Sequence, residues 1–385
     1  MRIIVLGGAG EVGAAVAADL AACSEVDELV VADVDARAES VAAALGAKTS
    51  AVALDLCAGG EARRAVAGAD VLMNCTSFEL FDAAIELAIR AGVDYADLLS
   101  EPTEEQRRRV EAAGITAVSG LGLTPGLSNV LVRHAAEELG ELDEVHISWV
   151  SWRTLAPSPG LLDTILWELS EDCPTRQYFQ NGRFHRAGFM EGSRVVEFPP
   201  PVGRHRVYVV PHTETTTLPR HFPELRFCAV RGSWREELMD DVRVLNKYGL
   251  LDGSALEATK ARIWERLGGV RDASPWLIFL HVEVIGVRAG EARRRVYSVS
   301  HTLDWGQEGT GRITGVCAAV GAQLLGRQGR SQSGFVDPEV YYDPHEFLAE
   351  LGKRGTVTVA FEEAAVADGA LERTVRTLAA GKSPA

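Results

Sequence analysis

The chain of 385 residues is long enough for two domains, and its composition, 46% hydrophobic and 24% charged, is that of an ordinary globular protein. Its formal net charge of −15, without a long block of lysine or arginine, argues against nucleic acid as a partner. The cysteines are scattered without a CxxC pair, which indicates reduced thiols in the cytoplasm rather than a disulfide framework or a metal site. The apolar runs are too short to span a bilayer, and the first strand begins at residue 2, which argues against a targeting segment.

The N-terminal segment has the spacing of a dinucleotide-binding fingerprint. A short apolar run at residues 2–6 is followed at once by Gly8-Ala-Gly-Glu-Val-Gly13 and then by small, helix-forming residues. Gly8 allows the tight turn, Gly10 lets the backbone approach a pyrophosphate, and Gly13 lets the helix pack closely on the strand. The free N–H groups at the start of the helix would then face the phosphates. The cofactor-binding residues predicted in this turn are Gly8, Ala9, Gly10, Glu11, Val12 and Gly13.

A second predicted strand, residues 28–33, ends in the acid that this fingerprint requires. Asp33 lies about twenty residues past the last glycine, where a carboxylate holds the ribose hydroxyls. We predict that Asp33 and the adjacent Val34 contact the adenosine. A carboxylate at this position repels a 2′-phosphate and favours NAD over NADP, whereas Arg37 nearby argues in the other direction.

Alternating helices and strands continue through the first domain. We predict helices at residues 35–45, 61–67, 81–91 and 102–113, and strands at residues 50–54, 70–75, 93–97 and 115–119. Asp55, followed by Leu56, either faces the adenine or caps a helix. Cys75, Thr76 and Ser77 lie at the carboxyl edge of the sheet, where ligands bind in open α/β folds, so they are predicted to contact the cofactor.

The pattern changes at Gly120-Leu-Gly-Leu-Thr-Pro-Gly-Leu-Ser-Asn129, which is dense in turn residues and leads into a helix toward Leu139. All seven tryptophans lie beyond residue 148, and longer strands with hairpin signals follow. We predict strands at residues 145–152, 206–210 and 225–230, an Asn-Gly hairpin at 178–184, a loop at 211–217, helices at 236–248 and 255–267, a long hairpin over 277–303, and helices at 310–325 and 344–353.

These elements predict an α/β chain with two domains. Residues 1–124 form an NAD-binding Rossmann domain, a doubly wound parallel sheet, with Gly122 shaping the nicotinamide pocket. Residues 125–340 form a substrate-binding and dimerisation domain of α+β type, with a mainly antiparallel sheet that has helices on one face. Residues 341–385 add a helix that packs back on the first domain and a tail that is disordered from residue 379.

Several segments also carry a family resemblance. They are the glycine fingerprint, Val93-Asp-Tyr-Ala-Asp-Leu98, Gly122-Leu-Thr-Pro-Gly-Leu-Ser-Asn129, Thr213-Glu-Thr-Thr-Thr-Leu218 and Phe347-Leu-Ala-Glu-Leu-Gly-Lys-Arg-Gly355. Together they resemble the saccharopine dehydrogenase-like superfamily, and within it the lysine 6-dehydrogenase type, over nearly the whole chain. The resemblance implies a nicotinamide held between two domains, a homodimer, and oxidation of a carbon that bears nitrogen. Thr124 stands where saccharopine reductases carry Asp, which favours the lysine 6-dehydrogenase type.

Hydride transfer from such a carbon requires a base for the amine and a clamp for the amino-acid carboxylate. His212 and Glu214 are candidates for the base and its amine partner, because they leave a strand in a hydroxyl-rich segment. The alternative is that His212 is an ordinary hydrogen-bonded residue and that Thr215, a candidate hydroxyl for holding the substrate, caps a turn.

Two arginines, Arg231 and Arg153, compete for the substrate carboxylate, and each can also be an ordinary salt-bridge residue. Asp97, at the carboxyl end of a strand, either holds the nicotinamide ribose or the substrate amine, or caps a loop. The leading hypothesis is NAD-dependent oxidation of the side-chain amine carbon of lysine or a similar diamine. The alternatives are a reductase that joins an aldehyde to an amine, as saccharopine or carboxynorspermidine enzymes do, and a non-catalytic NAD-binding sensor.

Overall fold

The computed structural model describes residues 1–58, 60–98, 102–329, 332–365 and 374–379. The strands are β1 (Arg2–Leu6), β2 (Glu28–Asp33), β3 (Thr49–Ala53), β4 (Val71–Asn74), β5 (Asp94–Asp97), β6 (Thr116–Val118), β7 (Glu141–Trp152), β8 (Gln177–Gln180), β9 (Arg183–Arg186), β10 (Arg194–Phe198), β11 (Gly203–Val209), β12 (Phe227–Trp234), β13 (Leu277–Arg288), β14 (Glu291–His301), β15 (Gly334–Val336), β16 (Val357–Ala365) and β17 (Thr374–Ala379).

The helices are α1 (Glu11–Ala22), α2 (Arg37–Leu45), α3 (Gly60–Val66), α4 (Phe81–Ala91), α5 (Glu104–Ala113), α6 (Leu127–Leu139), α7 (Pro159–Leu169), α8 (Glu214–His221), α9 (Glu236–Lys247), α10 (Gly253–Leu267), α11 (Gly309–Gln328), α12 (Pro338–Tyr341) and α13 (Pro344–Arg354). Within the described parts of the chain, none of these helices is both long and apolar enough to cross a membrane.

The chain forms two compact units, each built from two segments. Unit 1 comprises residues 1–130 and 311–351, and unit 2 comprises residues 131–310 and 352–385. The predicted ranges 1–124, 125–340 and 341–385 differ from these units because the chain returns to unit 1 at α11. Small residues permit that return, since a Cβ atom on Gly315 would lie 2.6 Å from the Cβ atom of Ala15 on α1.

Unit 1 contains a parallel sheet of seven strands among the described residues, in the order β3-β2-β1-β4-β5-β6-β15. The first six follow the doubly wound order 3-2-1-4-5-6, which confirms the predicted Rossmann fold. Both faces of β1 are covered, and its apolar run from Ile3 to Leu6 is buried. The seventh strand, β15, was not predicted, because three residues give too short a periodic signal.

Unit 2 contains a mixed sheet whose path runs β10-β11-β12-β7-β13-β14-β16-β17, with the β8–β9 hairpin attached to β12. Most pairs are antiparallel, as predicted, but β12 and β7 are parallel. Asn181 and Gly182 both have positive φ angles, 48° and 77°, which suits the predicted Asn-Gly hairpin turn.

Some local predictions for unit 2 were wrong. The predicted loop at 211–217 contains the start of α8, and β12 extends to Trp234 rather than ending at Val230. Helix α7 and strands β10, β16 and β17 were not predicted. Ala379, the first residue of the tail predicted to be disordered, ends β17, and the rest of that tail lies outside the described residues.

The sheet of unit 2 has one face that carries Trp149, here called the Trp149 face. Trp149 on β7 pairs with Gly232 on β12, and a Cβ atom on Gly232 would lie 2.2 Å from the Trp149 ring. The missing side chain of Gly232 therefore makes room for the indole. Helix α6 packs on this face, where His134 Nδ1 lies 2.7 Å from the Tyr297 hydroxyl on β14.

The opposite side of the sheet is here called the Arg231 face. Side chains alternate between the faces along a strand, so Arg231, next to Gly232, points away from Trp149. Arg231 pairs with Ser148 on β7, and Ser148 pairs with His281 on β13. These three residues form one row across three neighbouring strands.

Candidate active site

In unit 1 the glycine fingerprint forms a tight turn between β1 and α1. Gly7 has a φ angle of 70°, which favours glycine, and a Cβ atom on Gly13 would lie 2.1 Å from the Gly7 carbonyl oxygen. Gly10 stands at the N-cap of α1 and supplies no capping side chain. The N-terminal end of α1 is therefore suited to a phosphate, which its backbone N–H groups and positive dipole end would bind.

Asp33 is fixed beside this turn. One carboxylate oxygen accepts a hydrogen bond of 2.9 Å from the Ala9 N–H, and the other accepts 3.0 Å from the Asp35 N–H. Arg37 is engaged by Asp35, with 2.8 Å between guanidinium and carboxylate. The residues present therefore fit a dinucleotide, and Asp33 rather than Arg37 is the charged group at the end of β2 beside the glycine turn. Val34 follows with 73% of its side chain exposed.

Asp55 and Leu56 lie beyond the end of β3. Asp55 Oδ1 accepts a hydrogen bond of 2.8 Å from the Cys57 N–H, so its carboxylate caps the short turn that begins at Leu56. Adenine contact and capping were the two roles considered for Asp55, and this hydrogen bond is the one that a cap makes.

Cys75, Thr76 and Ser77 follow β4 at the carboxyl edge of the sheet. The Thr76 hydroxyl donates a hydrogen bond of 2.7 Å to Asn74 Oδ1. Burial, and then the negative charge of Asp97, raises the pKa of the Cys75 thiol, which therefore stays protonated at neutral pH. This thiol can contact a cofactor but cannot act as a thiolate nucleophile.

Asp97 is buried at the end of β5. Its Oδ1 accepts hydrogen bonds from the Ser119 hydroxyl at 2.9 Å and the Gly120 N–H at 3.3 Å. The carboxylate thus fixes the turn that leads to Gly122. That turn closes tightly, because Gly126 has a φ angle of 118° and a Cβ atom there would lie 2.4 Å from the Gly122 nitrogen.

In unit 2 His212 and Glu214 form a buried pair where β11 leads into α8. His212 Nδ1 lies 3.4 Å from Glu214 Oε2, and the Glu214 side chain is fully buried. Burial lowers the pKa of His212, but the hydrogen bond and charge of Glu214, with a contribution from Glu168, outweigh burial and raise it overall. If Nδ1–H donates to Glu214, then Nε2 is the ring nitrogen that can accept a proton.

Thr215 supports the backbone around this pair. Its hydroxyl donates to the His212 carbonyl oxygen, and the Thr216 hydroxyl donates to the Thr213 carbonyl oxygen at 2.7 Å. The Thr215 hydroxyl therefore makes the backbone hydrogen bond expected of a residue that caps a turn.

Glu168, on α7, is a site residue that the sequence analysis missed. Burial raises its pKa to about 7, although the positive charges of His212 and Arg153 oppose the shift. Among the described residues, no hydrogen-bond partner lies at Glu168 Oε2. The signal for α7 was present in Ser158-Pro159, since Ser158 caps the helix and Pro159 occupies its first turn.

Other buried residues hold Glu168 and define the same region. Arg176 Nη1 donates a hydrogen bond of 2.9 Å to the Glu168 carbonyl oxygen and one of 2.8 Å to the Ser170 carbonyl oxygen, which fixes the end of α7.

Arg153 follows β7 and donates a hydrogen bond of 3.2 Å to the Leu161 carbonyl oxygen. The Trp149 and His212 rings are 6.0 Å apart between centroids. The indole of Trp149 therefore lies beside the His212 ring.

The structure brings Arg153, but not Arg231, to the side of the sheet that carries His212. Arg231 belongs to the Arg231 face, whereas the α8 backbone contacts the other face, with Cys228 Sγ 3.7 Å from the Glu214 carbonyl oxygen. Alternation along β12 produces this separation, since 228 and 231 differ by an odd number of positions. Of the two arginines considered for the substrate carboxylate, Arg153 therefore lies on the face that carries His212, and Arg231 lies on the other face.

The arrangement in unit 2 is suited to acid–base chemistry on an amine. A histidine oriented by a carboxylate can take a proton, Glu168 can exchange one near neutral pH, and Arg153 offers positive charge for a carboxylate. Unit 1 supplies the turn and the acid for a dinucleotide.

The chain is similar in sequence to known proteins. Residues 3–118 match the family described as saccharopine dehydrogenase NADP binding domain. The chain is also 25% identical to carboxyaminopropylagmatine dehydrogenase from Synechocystis sp., over 92% of this chain and 96% of that one.

Two solved structures share the fold. Apo saccharopine dehydrogenase (L-Glu forming) from Saccharomyces cerevisiae is similar with a TM-score of 0.72 and 16% identity, over 95% of this chain and 100% of that one. Homospermidine synthase from Legionella pneumophila, in complex with NAD, is similar with a TM-score of 0.56 and 16% identity, over 91% of this chain and 88% of that one. Taken with the fingerprint and the sheet order, these findings indicate an NAD(P)-dependent oxidoreductase that resembles the saccharopine dehydrogenase-like superfamily.

Proposed function

We propose that this protein reduces the imine formed from an aldehyde and an amine to a secondary amine, that it also catalyses the reverse oxidation, and that one partner carries a carboxylate. The observation that carries the proposal is the buried group of Glu168, His212, Glu214 and Arg153 in unit 2, which combines proton-transfer groups with a cation. The full-length similarity to carboxyaminopropylagmatine dehydrogenase supports a secondary amine of this kind.

His212 acts as the base in this proposal, and Glu214 orients it. The amine must be neutral to attack an aldehyde, so Nε2 of His212 takes its proton while Nδ1–H stays directed at Glu214. Glu168, with a pKa of about 7, returns a proton as water leaves from the adduct. Trp149, whose ring lies beside His212, excludes water from one side.

Arg153 binds the carboxylate of the amino-acid partner. It is buried and lies on the Trp149 face of the sheet beyond the end of β7, and its charge opposes the rise in the pKa of Glu168. A planar guanidinium binds a carboxylate through two parallel hydrogen bonds, which fixes orientation as well as affinity.

The glycine turn and Asp33 of unit 1 would hold NAD, which supplies or accepts the hydride when bound. NAD is preferred to NADP in this proposal, because the Asp33 carboxylate repels a 2′-phosphate and Arg37 is engaged by Asp35.

A second candidate is oxidation of lysine at its side-chain carbon. Thr124 within Leu123-Thr-Pro-Gly126 favours it, because saccharopine reductases carry Asp at this position. This candidate needs the same base and the same carboxylate clamp. It differs in the fate of the imine, which forms by hydride transfer from lysine to NAD and is then hydrolysed by water to the aldehyde and ammonia.

Cofactor absorbance separates the two candidates. The purified chain is mixed with NADH or NADPH and a panel of amino-acid aldehydes, each paired with agmatine or a diamine, and separately with NAD and lysine. The proposal predicts cofactor oxidation only when aldehyde and amine are both present, faster with NADH than with NADPH. NAD reduction by lysine alone would favour the second candidate, and inactivity in both panels would contradict both.

A further inference from the structure

Arg231 is a buried cation that no acid pairs with in the described part of the chain. It is 8% exposed; its Nε donates to the Gly192 carbonyl oxygen at 2.7 Å and its Nη1 to His146 Nδ1 at 3.4 Å. Over the described ranges of the chain, no carboxylate lies within ion-pair distance of Arg231 and no acceptor is bonded to its Nη2. Buried arginines are normally paired, because an uncompensated charge is costly to remove from water.

A second cation lies near this one. Burial, and then the positive charge of Arg194, lowers the pKa of Arg231 to about 10. Arg194 is itself 33% exposed and pairs with Glu283, which Arg294 also binds. Two arginines thus neutralise the Glu283 carboxylate, and no other acid of the described residues pairs with Arg231.

Two polar groups on neighbouring strands also lack partners. Ser148 Oγ and His281 Nδ1 are buried, and among the described residues neither has a hydrogen-bond partner. Ser148 pairs with Arg231 on one side and with His281 on the other, so their side chains stand side by side on the Arg231 face. Burial lowers the pKa of His281 to about 4, so its ring is neutral and can donate one N–H.

We propose that Arg231, with the positive charge of Arg194 nearby and Ser148 beside it, binds a small oxyanion, either a carboxylate or a phosphate. The two free N–H groups of Nη2 match the two oxygens of such a group, and the Ser148 hydroxyl supplies a further donor. The site is separate from the His212 group, because it lies on the other face of the sheet.

Calorimetric titration of the full chain with acetate and with inorganic phosphate tests the proposal, at an ionic strength held constant with sodium chloride. Saturable binding of at least one anion is expected, and the two arms show which source of oxygens the site prefers. Arg231→Gln is expected to weaken binding by 10-fold or more, and Arg226→Gln, an exposed arginine paired with Asp143 just before β12, is expected to leave it unchanged.

Ser148→Ala keeps the test decisive if Arg231→Gln does not fold. The Ser148 hydroxyl has no hydrogen-bond partner among the described residues, so the variant is expected to fold normally and to bind the anion about threefold more weakly. A titration heat that does not saturate with either anion would overturn the assignment. Equal anion affinity in the wild type and in the folded Ser148→Ala and Arg231→Gln variants would also overturn it. The titration does not measure activity toward amines, so its result is independent of whether the proposed reaction is correct.

Discussion

Single residues define the proton chemistry proposed for unit 2. His212 and Glu168 are both buried, but their pKa values rise for different reasons: Glu214 stabilises the charged histidine, whereas burial destabilises the charged form of Glu168. The histidine was found from the sequence because it stands in a recognisable segment, His212-Thr-Glu-Thr215. Glu168 was missed, since nothing in its local sequence distinguishes a buried glutamate from an exposed one on a helix.

Replacing the orienting acid should change the pH profile. Glu214→Gln removes the charge that raises the pKa of His212, so the acidic limb of kcat/KM should move to lower pH. Loss of the correct ring orientation should reduce kcat/KM by about 10²-fold. Steady-state kinetics across pH measures both effects.

The control is Glu237→Gln, which removes an exposed acid at the start of α9. It should leave the profile in place. An acidic limb that stays at the wild-type pH in Glu214→Gln would show that Glu214 does not act on the group that titrates.

Glu168 should make the protein less stable as the pH rises. Its pKa moves from 4.5 to about 7 on folding, so the folded state keeps a proton that the unfolded chain releases in this window. The free energy of unfolding should therefore fall between about pH 4.5 and about pH 7, by up to about 3 kcal/mol at about 1.4 kcal/mol per pH unit.

Denaturant unfolding at several pH values measures this slope. Glu168→Gln should lose less stability than the wild type across the window, because it cannot titrate. Glu257→Gln, at a side chain 75% exposed on α10, should keep the wild-type slope. Equal slopes in the wild type and Glu168→Gln would refute the raised pKa.

At the scale of elements, the sequence predicted best where a period or a turn leaves a strong local signal. The β1–α1–β2 segment, the Asn181-Gly182 hairpin and the long β13–β14 pair were all found. Helix α8 was predicted to be a loop, because threonine side chains that hydrogen-bond to nearby backbone groups favour turns, and the packing of α8 against β12 is a long-range contact that a local pattern does not contain. The separation of Arg231 from His212 depends on strand register, which is set by long-range pairing that a local pattern does not contain.

The turn before α1 gives a prediction at this scale. Gly13→Ala would place a Cβ atom 2.1 Å from the Gly7 carbonyl oxygen, so the turn must shift. NADH affinity, followed by quenching of tryptophan fluorescence, should fall by at least about 10-fold.

The matched control is Gly160→Ala in the first turn of α7, where a Cβ atom would meet nothing within 4 Å. This variant should bind NADH like the wild type. Wild-type affinity in a folded Gly13→Ala protein would remove this turn from the nucleotide site.

At the scale of the whole molecule, each unit carries one half of the proposed chemistry. Unit 1 holds the dinucleotide turn and unit 2 holds the proton-transfer group, and the chain passes from the first to the second and back again. The predicted ranges assign residues 311–340 to the second domain, whereas the described residues of this segment group with unit 1.

The superfamily resemblance predicts a homodimer through the sheet of unit 2. Sedimentation velocity of the purified chain should give one species with twice the mass of a single chain, independent of NADH. A monomer at micromolar concentration would contradict this prediction without affecting the proposed reaction.

Deuterium transfer tests the central claim most directly. NADH carrying deuterium at the transferable position of its nicotinamide ring is incubated with the enzyme and the aldehyde–amine pair that gives turnover, and the product is examined by mass spectrometry and NMR. The account predicts one deuterium atom in the secondary amine, on the carbon bonded to nitrogen. A product without deuterium on that carbon would contradict hydride transfer at a carbon–nitrogen bond.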